Sequence, residues 1–202
     1  MNLPPKLVDW GWRNEDEESL AHWIVVASWW NLDDRKYLSW TETRKMLKSI
    51  GDNGRRKALW TLTEILADYD NWISFTKRFL KQAWPKELQF RTSPTSYNLI
   101  GVAERAGPHF PDVVKTILPL IMPVERADTF VFKMNKDKDD DSSSLAAQHP
   151  KEVLALLDKM ISHQEQFPPY GLATVLDLIS DSQSELKLDQ KWIRLSRLAG
   201  RV

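Results

Sequence analysis

The sequence predicts an all-α chain of stacked helical hairpins, on three observations. Apolar residues recur at helical spacing through almost the whole length. The segments they mark are bounded by helix starts and stops, with few residues between. Apolar and polar residues never alternate for more than a few positions, and the seven glycines fall mainly at segment ends.

Taken in order, Asn14 followed by Glu15, Asp16, Glu17 and Glu18 predicts an N-cap with an acidic first turn, suited to the positive end of the helix dipole. Leu20, Trp23, Ile24, Ala27 and Trp30 then mark one apolar face. Ser39-Trp40-Thr41-Glu42 has the form of a capping box, opening a helix through Met46, Leu47 and Ile50 that stops at Gly51. Asp52-Asn53-Gly54 predicts a tight turn, and Leu59, Leu62, Ile65 and Leu66 a third helix that breaks near Asp68 to Asp70. A fourth, over Trp72, Phe75, Phe79, Leu80 and Ala83, ends at Pro85, because the residue before a proline avoids the helical region.

Ser93-Pro94 predicts the next helix, with Ser93 as cap and Gly107 as its close. Pro111 opens another through Val113, Val114, Ile117, Leu118 and Ile121, kinked at Pro119. Residues 127–134 are compatible with helix or strand, helix being favoured. Residues 135–144 (NKDKDDDSSS) hold no apolar side chain and predict an exposed, mobile loop. Helices over 150–161, 170–179 and 189–199 complete a set of eight to ten.

One all-helical domain is expected over residues 1–202. It comprises an extended arm (1–13), a Trp-rich half (14–91) and a repeat-like half (92–202) carrying the 135–144 loop. Val113 and Val153, Ile117 and Leu157, and Ile121 and Ile161 match at an offset of 40 residues. A period near 40 with two helices per unit is HEAT-like or α-solenoid-like, and an irregular helical bundle is the alternative.

Composition excludes several function classes. Without cysteine there is no disulfide scaffold, thiolate metal site or cysteine nucleophile. Residues 1–12 have neither the basic start nor the apolar run of a signal peptide, and the most apolar stretch, Trp23 to Trp30, is too short to span a bilayer. A cytoplasmic chain with no membrane partner is expected. None of His22, His109, His149 and His163 pairs with another at ligand spacing, and His109 and His149 stand just before helix-opening prolines. Asp137, Asp139 and Asp141 alternate as in a calcium loop, but the central glycine and terminal glutamate are missing. No phosphate-binding glycine loop and no nucleophile elbow occurs. No catalytic residue, metal or cofactor is called for.

Two features point to binding. Ten tryptophans are present, nine of them in the first 84 residues. Trp23, Trp60, Trp72 and Trp192 fit the apolar faces of their helices and are expected in the core. Trp29 and Trp30 are adjacent, so one helix cannot turn both inward. One of them, with Trp10 or Trp12 in the arm, is the candidate partner-binding aromatic, tryptophan being the residue most enriched at binding hot spots. The second feature is charge. The net charge is zero, yet residues 40–91 carry eleven Lys/Arg against six Asp/Glu. Arg44, Lys45, Lys48, Arg55, Arg56, Lys57, Lys77, Arg78 and Lys81 would form a stripe for a phosphate backbone if the hairpins bring them together, and solvated outer faces otherwise.

The stretch from Pro150-Lys151-Glu152-Val153-Leu154 through Pro169-Tyr170-Gly171-Leu172-Ala173-Thr174-Val175-Leu176 resembles the helical tails of large bacterial proteins of phage-defence islands, multidomain ATPases among them. Trp84-Pro85 and Phe110-Pro111-Asp112-Val113-Val114 fit the same resemblance, which covers about half of the chain. It implies a scaffold or sensor module that binds another protein, or another part of a larger polypeptide, and it carries over no catalytic residue. The expected function is a non-enzymatic protein-interaction module, with a nucleic-acid-binding helical repeat as the alternative.

Overall fold

The computed structural model describes residues 16–30, 38–87, 91–125, 127–135 and 144–201. The fold is all-α: the described residues contain no strand, and eleven α-helices follow one another along them. The predicted arm (1–13), Asn14, and most of the predicted loop (136–143) lie outside the described residues. The chain divides into two compact units, Met1–Leu120 and Ile121–Val202. The sequence pattern changes character earlier, at residues 91–92.

In unit 1, α1 (Glu17–Trp29) is capped by Asp16, whose carboxylate accepts from the backbone N–H groups of Glu18 and Ser19 at 3.2 Å. The cap therefore stands two residues beyond the expected Asn14. In α2 (Trp40–Ser49) the capping box forms as predicted. Ser39 Oγ accepts from the Glu42 N–H at 3.2 Å, and Glu42 Oε2 accepts from the Ser39 N–H at 2.8 Å.

Asp52-Asn53-Gly54 is not a separate turn. It is the first turn of α3 (Asp52–Glu64), with extended Gly51 as cap. Asp52 at the helix start accepts hydroxyl hydrogen bonds from Thr92 at 3.0 Å and Thr95 at 2.7 Å. Gly54 is needed for packing, since a Cβ there would press on Ile50 Cδ1 at 3.0 Å and the Glu17 carbonyl at 3.2 Å.

Helix α4 (Trp72–Arg78) runs into a π-turn, Phe79–Ala83, and extended Trp84 before Pro85 ends it as expected. Helix α5 (Ser93–Arg105) is capped by Thr92 rather than Ser93, the Thr92 hydroxyl accepting from the Thr95 N–H. Gly107, at φ +52°, begins a short 3₁₀ turn into α6 (Phe110–Ile117), and a second 3₁₀ turn, Leu118–Leu120, follows at Pro119.

Contacts between these helices fix their directions. Glu17 lies against Gly54, and His22 Nδ1 is 3.3 Å from Thr61 Oγ1, so α1 and α3 run parallel. Asp52 meets Thr92 and Thr95 while Asp68 meets Arg105 at 3.1 Å, so α3 and α5 run parallel as well. Helix α2 returns antiparallel to α1: Ser28 Oγ is 3.0 Å from Thr43 Oγ1, and the carbonyl of Ile50 is at the start of α3. One layer is thus α1, α3 and α5. In the other, α2 packs on the π-turn, and α4 and the π-turn pack on α6. These are three stacked hairpins, whose first helices begin at residues 17, 52 and 93, in steps of 35 and 41.

Between the layers lies an aromatic cluster. Phe75 meets Trp29 at a centroid distance of 4.9 Å, Phe79 at 5.7 Å and Trp40 at 6.0 Å, and Phe79 meets Trp84 at 6.4 Å.

Unit 2 is built around α10 (Leu172–Ser182), which packs on α7 (Asp128–Asn135), α8 (Leu145–Gln148), α9 (Pro150–Met160) and α11 (Gln190–Leu198) through Leu172, Val175, Leu176 and Ile179. The ambiguous 127–134 segment is helix α7, and Ser144, read as loop, is the buried cap of α8. Arg194 donates from Nε to Asp158 at 2.9 Å and from Nη2 to the Asp158 carbonyl at 3.1 Å, satisfying the end of α9. The three residue pairs matched at an offset of 40 are all buried, and His109 and His149 both occupy cap positions before proline-opened helices.

Candidate docking surface

The buried stripe of α1 is not the one its large residues suggested. Leu20, Ile24 and Ala27 are buried as expected, but so are Ala21, Val25 and Ser28, which shifts the stripe around the helix. Small Ala21 and Ser28 allow neighbouring helices close, and Ser28 Oγ is satisfied by donating to the Ile24 carbonyl at 2.7 Å. Trp23 is displaced outward and is 42% exposed. Helix α3 behaves alike: Ala58, Thr61 and Leu62 are buried, and Trp60 is 41% exposed. The expectation that Trp23 and Trp60 lie in the core is therefore corrected. Trp72 is buried as expected, its Nε1–H donating to the Leu62 carbonyl, and Trp192 is half-buried.

Because α1 and α3 are parallel neighbours, the two displaced rings share one surface. An open depression of about 420 Å³ is lined by His22, Trp23, Lys57, Trp60 and Ile65. A second, of about 330 Å³, is lined by Asn53, Arg56, Lys57, Trp60 and, from α5, Asn98. Glu18, Lys57 and Trp60 line both, so the two form one trough. On α3 its residues fall at positions 53, 56, 57 and 60, a single helix face.

Lys57 Nζ sits 3.5 Å from the centroid of the Trp60 ring, a cation–π contact. Burial, and then the charge of Lys57, hold the His22 imidazole below its ordinary pKa. The Asp16 carboxyl is held low by hydrogen bonds from Ser19, because it is engaged as a helix cap.

Of the tryptophans named as partner-binding candidates, Trp10 and Trp12 lie outside the described residues. Trp29 turns inward onto Phe75 and Tyr69, and Trp30 is 39% exposed, the division that adjacency requires.

The basic candidates are spread over both layers: Arg44, Lys45 and Lys48 on α2, Arg55 to Lys57 on α3, and Lys77, Arg78 and Lys81 on α4 and its π-turn. Arg55 is buried, donating to the carbonyls of Leu47 and Ile50. Lys48 pairs with Glu87, and Lys77 pairs with Asp112 at 2.9 Å, holding the Asp112 carboxyl low. Only Arg56 and Lys57 reach the trough. Sequence reasoning missed His22, Asn53 and Asn98. The spacing of Lys57 and Trp60 is the signal that could have drawn attention to this face.

Among the described residues no cluster of three metal-ligating side chains occurs, and no helix is long and apolar enough to cross a membrane. No family model, no curated protein and no solved structure matches the chain.

Proposed function

We propose that this chain is a protein-docking module whose docking surface is the outer face of α1 and α3. The carrying observation is the pair Trp23 and Trp60, each about two-fifths exposed and sharing one depression with Ile65, itself 41% exposed. Contiguous exposed apolar surface with a polar rim is the mark of an interaction site. Covering the two rings removes roughly 200 Å² of apolar surface, worth about 5 kcal/mol before association costs. That is a hot spot rather than a whole interface, since association itself costs about 4–15 kcal/mol.

Other readings have weaker support. Both depressions are open, unlike sites that enclose a small ligand. A phosphate-tracking stripe needs unopposed cations, whereas Arg55 is turned inward and Lys48 and Lys77 are neutralised by acidic neighbours. In the setting that the C-terminal third resembles, the partner would be another chain or domain of a phage-defence assembly.

The test is affinity capture from source-cell extract with the immobilised chain, its Trp23→Ala/Trp60→Ala variant, and an Arg78→Ala/Lys81→Ala control. The expected outcome is a protein retained by wild type and control but lost from the Trp variant. Equal retention by all three would remove this face from consideration. A low-salt gel shift with duplex DNA is expected to show no retardation. Salt-sensitive retardation, abolished by charge reversal of Arg56, Lys77, Arg78 and Lys81, would establish the nucleic-acid reading instead.

A further inference from the structure

We infer that the occupant of this surface is an extended acidic peptide segment of the partner, lying across α1, α3 and α5 with its backbone passing over Gly101. The inference rests on the docking reading and adds the chemistry and direction of what docks.

Direction follows from helix register. Glu17 is level with Gly54, which puts Trp23 level with Trp60. Asp52 is level with Thr92 and Thr95, and Asp68 with Arg105, which puts Trp60 level with the Asn98 to Gly101 turn of α5. Trp23, Trp60 and Gly101 therefore form a row running across the three helix axes. With packed helices about 8–10 Å apart, the row is about 20 Å long. An extended chain rising about 3.3 Å per residue covers it with about six residues.

Gly101 is the second observation. It sits inside α5, where glycine is less stable than alanine. Among the described residues a Cβ at this position would meet nothing within 4 Å, and its φ is not positive. Among the described residues neither packing nor backbone conformation calls for glycine here. A backbone approaching from outside does, because a missing side chain lets it reach the helix surface. Gly101 follows Asn98 by three residues, so the two share a face.

Polar groups beside the row suit a peptide backbone. Asn98 lies beside the row and Asn53 two turns of α3 away from it, both lining the trough with Arg56, and among the described residues neither side-chain amide makes a hydrogen bond. A primary amide offers one acceptor and two donors, which match the N–H and C=O of an extended peptide. A docked amphipathic helix satisfies its own backbone and wants a continuous apolar groove, whereas this trough is apolar only at the Trp23 end.

Charge selects the side chain. Among the described residues Arg56 makes no ion pair, and Lys57 lies on Trp60. Asp16, engaged as a cap, keeps its charge and faces Lys57, and Glu18 also lines the trough, so its cations and carboxylates balance. What remains is the Arg56 guanidinium fork, which has no carboxylate of its own among the described residues and is placed to hold one acidic side chain.

The test is selection of random nine-residue peptides displayed on phage against the immobilised full chain, followed by fluorescence anisotropy with the synthetic winners. Expected winners carry Asp or Glu at alternating spacing from an aromatic or branched aliphatic residue. Gly101→Leu is expected to weaken them at least tenfold while its melting temperature equals or exceeds that of wild type. Arg56→Glu/Lys57→Glu is expected to shift selection to basic peptides.

Winners that bind Gly101→Leu undiminished, or that carry apolar residues at helical spacing, overturn the inference. So does failure to select any peptide while capture of a partner protein still depends on Trp23 and Trp60, which leaves the docking reading standing. Capture that no longer depends on the two tryptophans sinks both.

Discussion

Unit 1 contains two sets of aromatic rings drawn from the same stretch of chain, in opposite environments. Trp29, Trp40, Phe75, Phe79 and Trp84 meet between the helical layers, while Trp23 and Trp60 stand on the outer face of the first layer. The indole is the same in both places, so its own hydrophobicity does not decide where it goes. The neighbours decide. Where small residues such as Ala21, Ser28, Ala58 and Thr61 line the helix–helix contact, backbones approach closely and leave no room for an indole. Where α2, α4 and the π-turn meet, the rings of Trp40, Phe75 and Phe79 pack on one another instead.

Truncation should separate the two sets most sharply. Trp84 is 1% exposed and packs on Phe79, so Trp84→Ala is expected to destabilise by about 3–5 kcal/mol in urea unfolding. Partner binding per folded molecule should be unchanged. A loss below about 1 kcal/mol would mean that the layers are not held by their aromatic cluster.

Arg55 comes next, because it belongs to the inner set although the charge pattern placed it with the outer one. Its guanidinium satisfies carbonyls at the end of α2 and lies 3.9 Å from Asp52. Arg55→Met should cost about 1–3 kcal/mol by leaving buried acceptors unpaired. Loss of partner binding at unchanged stability would instead put Arg55 on the surface.

How much of this was legible in advance depends on which residues carry the signal. Capping chemistry is local, so the Ser39–Glu42 box and the stop at Pro85 could be read directly. The all-α class and the hairpin order followed from such signals. The docking face did not, because its position depends on how closely α1 and α3 approach. Gly54, whose missing side chain admits the Glu17 carbonyl of α1, looks unremarkable in one dimension. Asn98 joins the trough only because α5 lies beside α3, a neighbour relation set by Asp52 with Thr92 and Thr95 across about 40 residues of chain. The basic block misled for a related reason: helical periodicity cannot tell an arginine that snorkels to solvent from one that turns back to cap a neighbouring helix.

Trp60→Ala gives the counterpart to Trp84→Ala. The ring is already two-fifths exposed and leaves no enclosed cavity when removed, so its buried part and its Lys57 contact put about 1–3 kcal/mol of stability at stake. Binding should suffer far more than folding. A destabilisation near that of Trp84→Ala would place Trp60 in the core and erase the distinction between the two sets.

His22 supplies the smallest effect and the finest measure of the boundary between the two environments. Its Nδ1 meets Thr61, and the residue also lines the trough beside Trp23. Burial, followed by the charge of Lys57, lowers its pKa below 6.5. As pH falls below 6.5 the unfolded chain takes up a proton that the folded chain still refuses, so stability falls. The contribution is complete above 6.5 and is lost progressively until the pH passes below the folded value. Asp16 and Glu42, whose carboxyls are held low by their capping hydrogen bonds, lose their contributions only at lower pH. Comparing urea midpoints at pH 7.5 and 5.5 therefore isolates the imidazoles, and His22→Gln, which keeps a partner for Thr61, isolates this one. Wild type should lose more stability than the variant between the two pH values. Equal losses would show that water reaches both edges of the His22 ring, which would make the floor of the trough wetter than its packing against Thr61 implies.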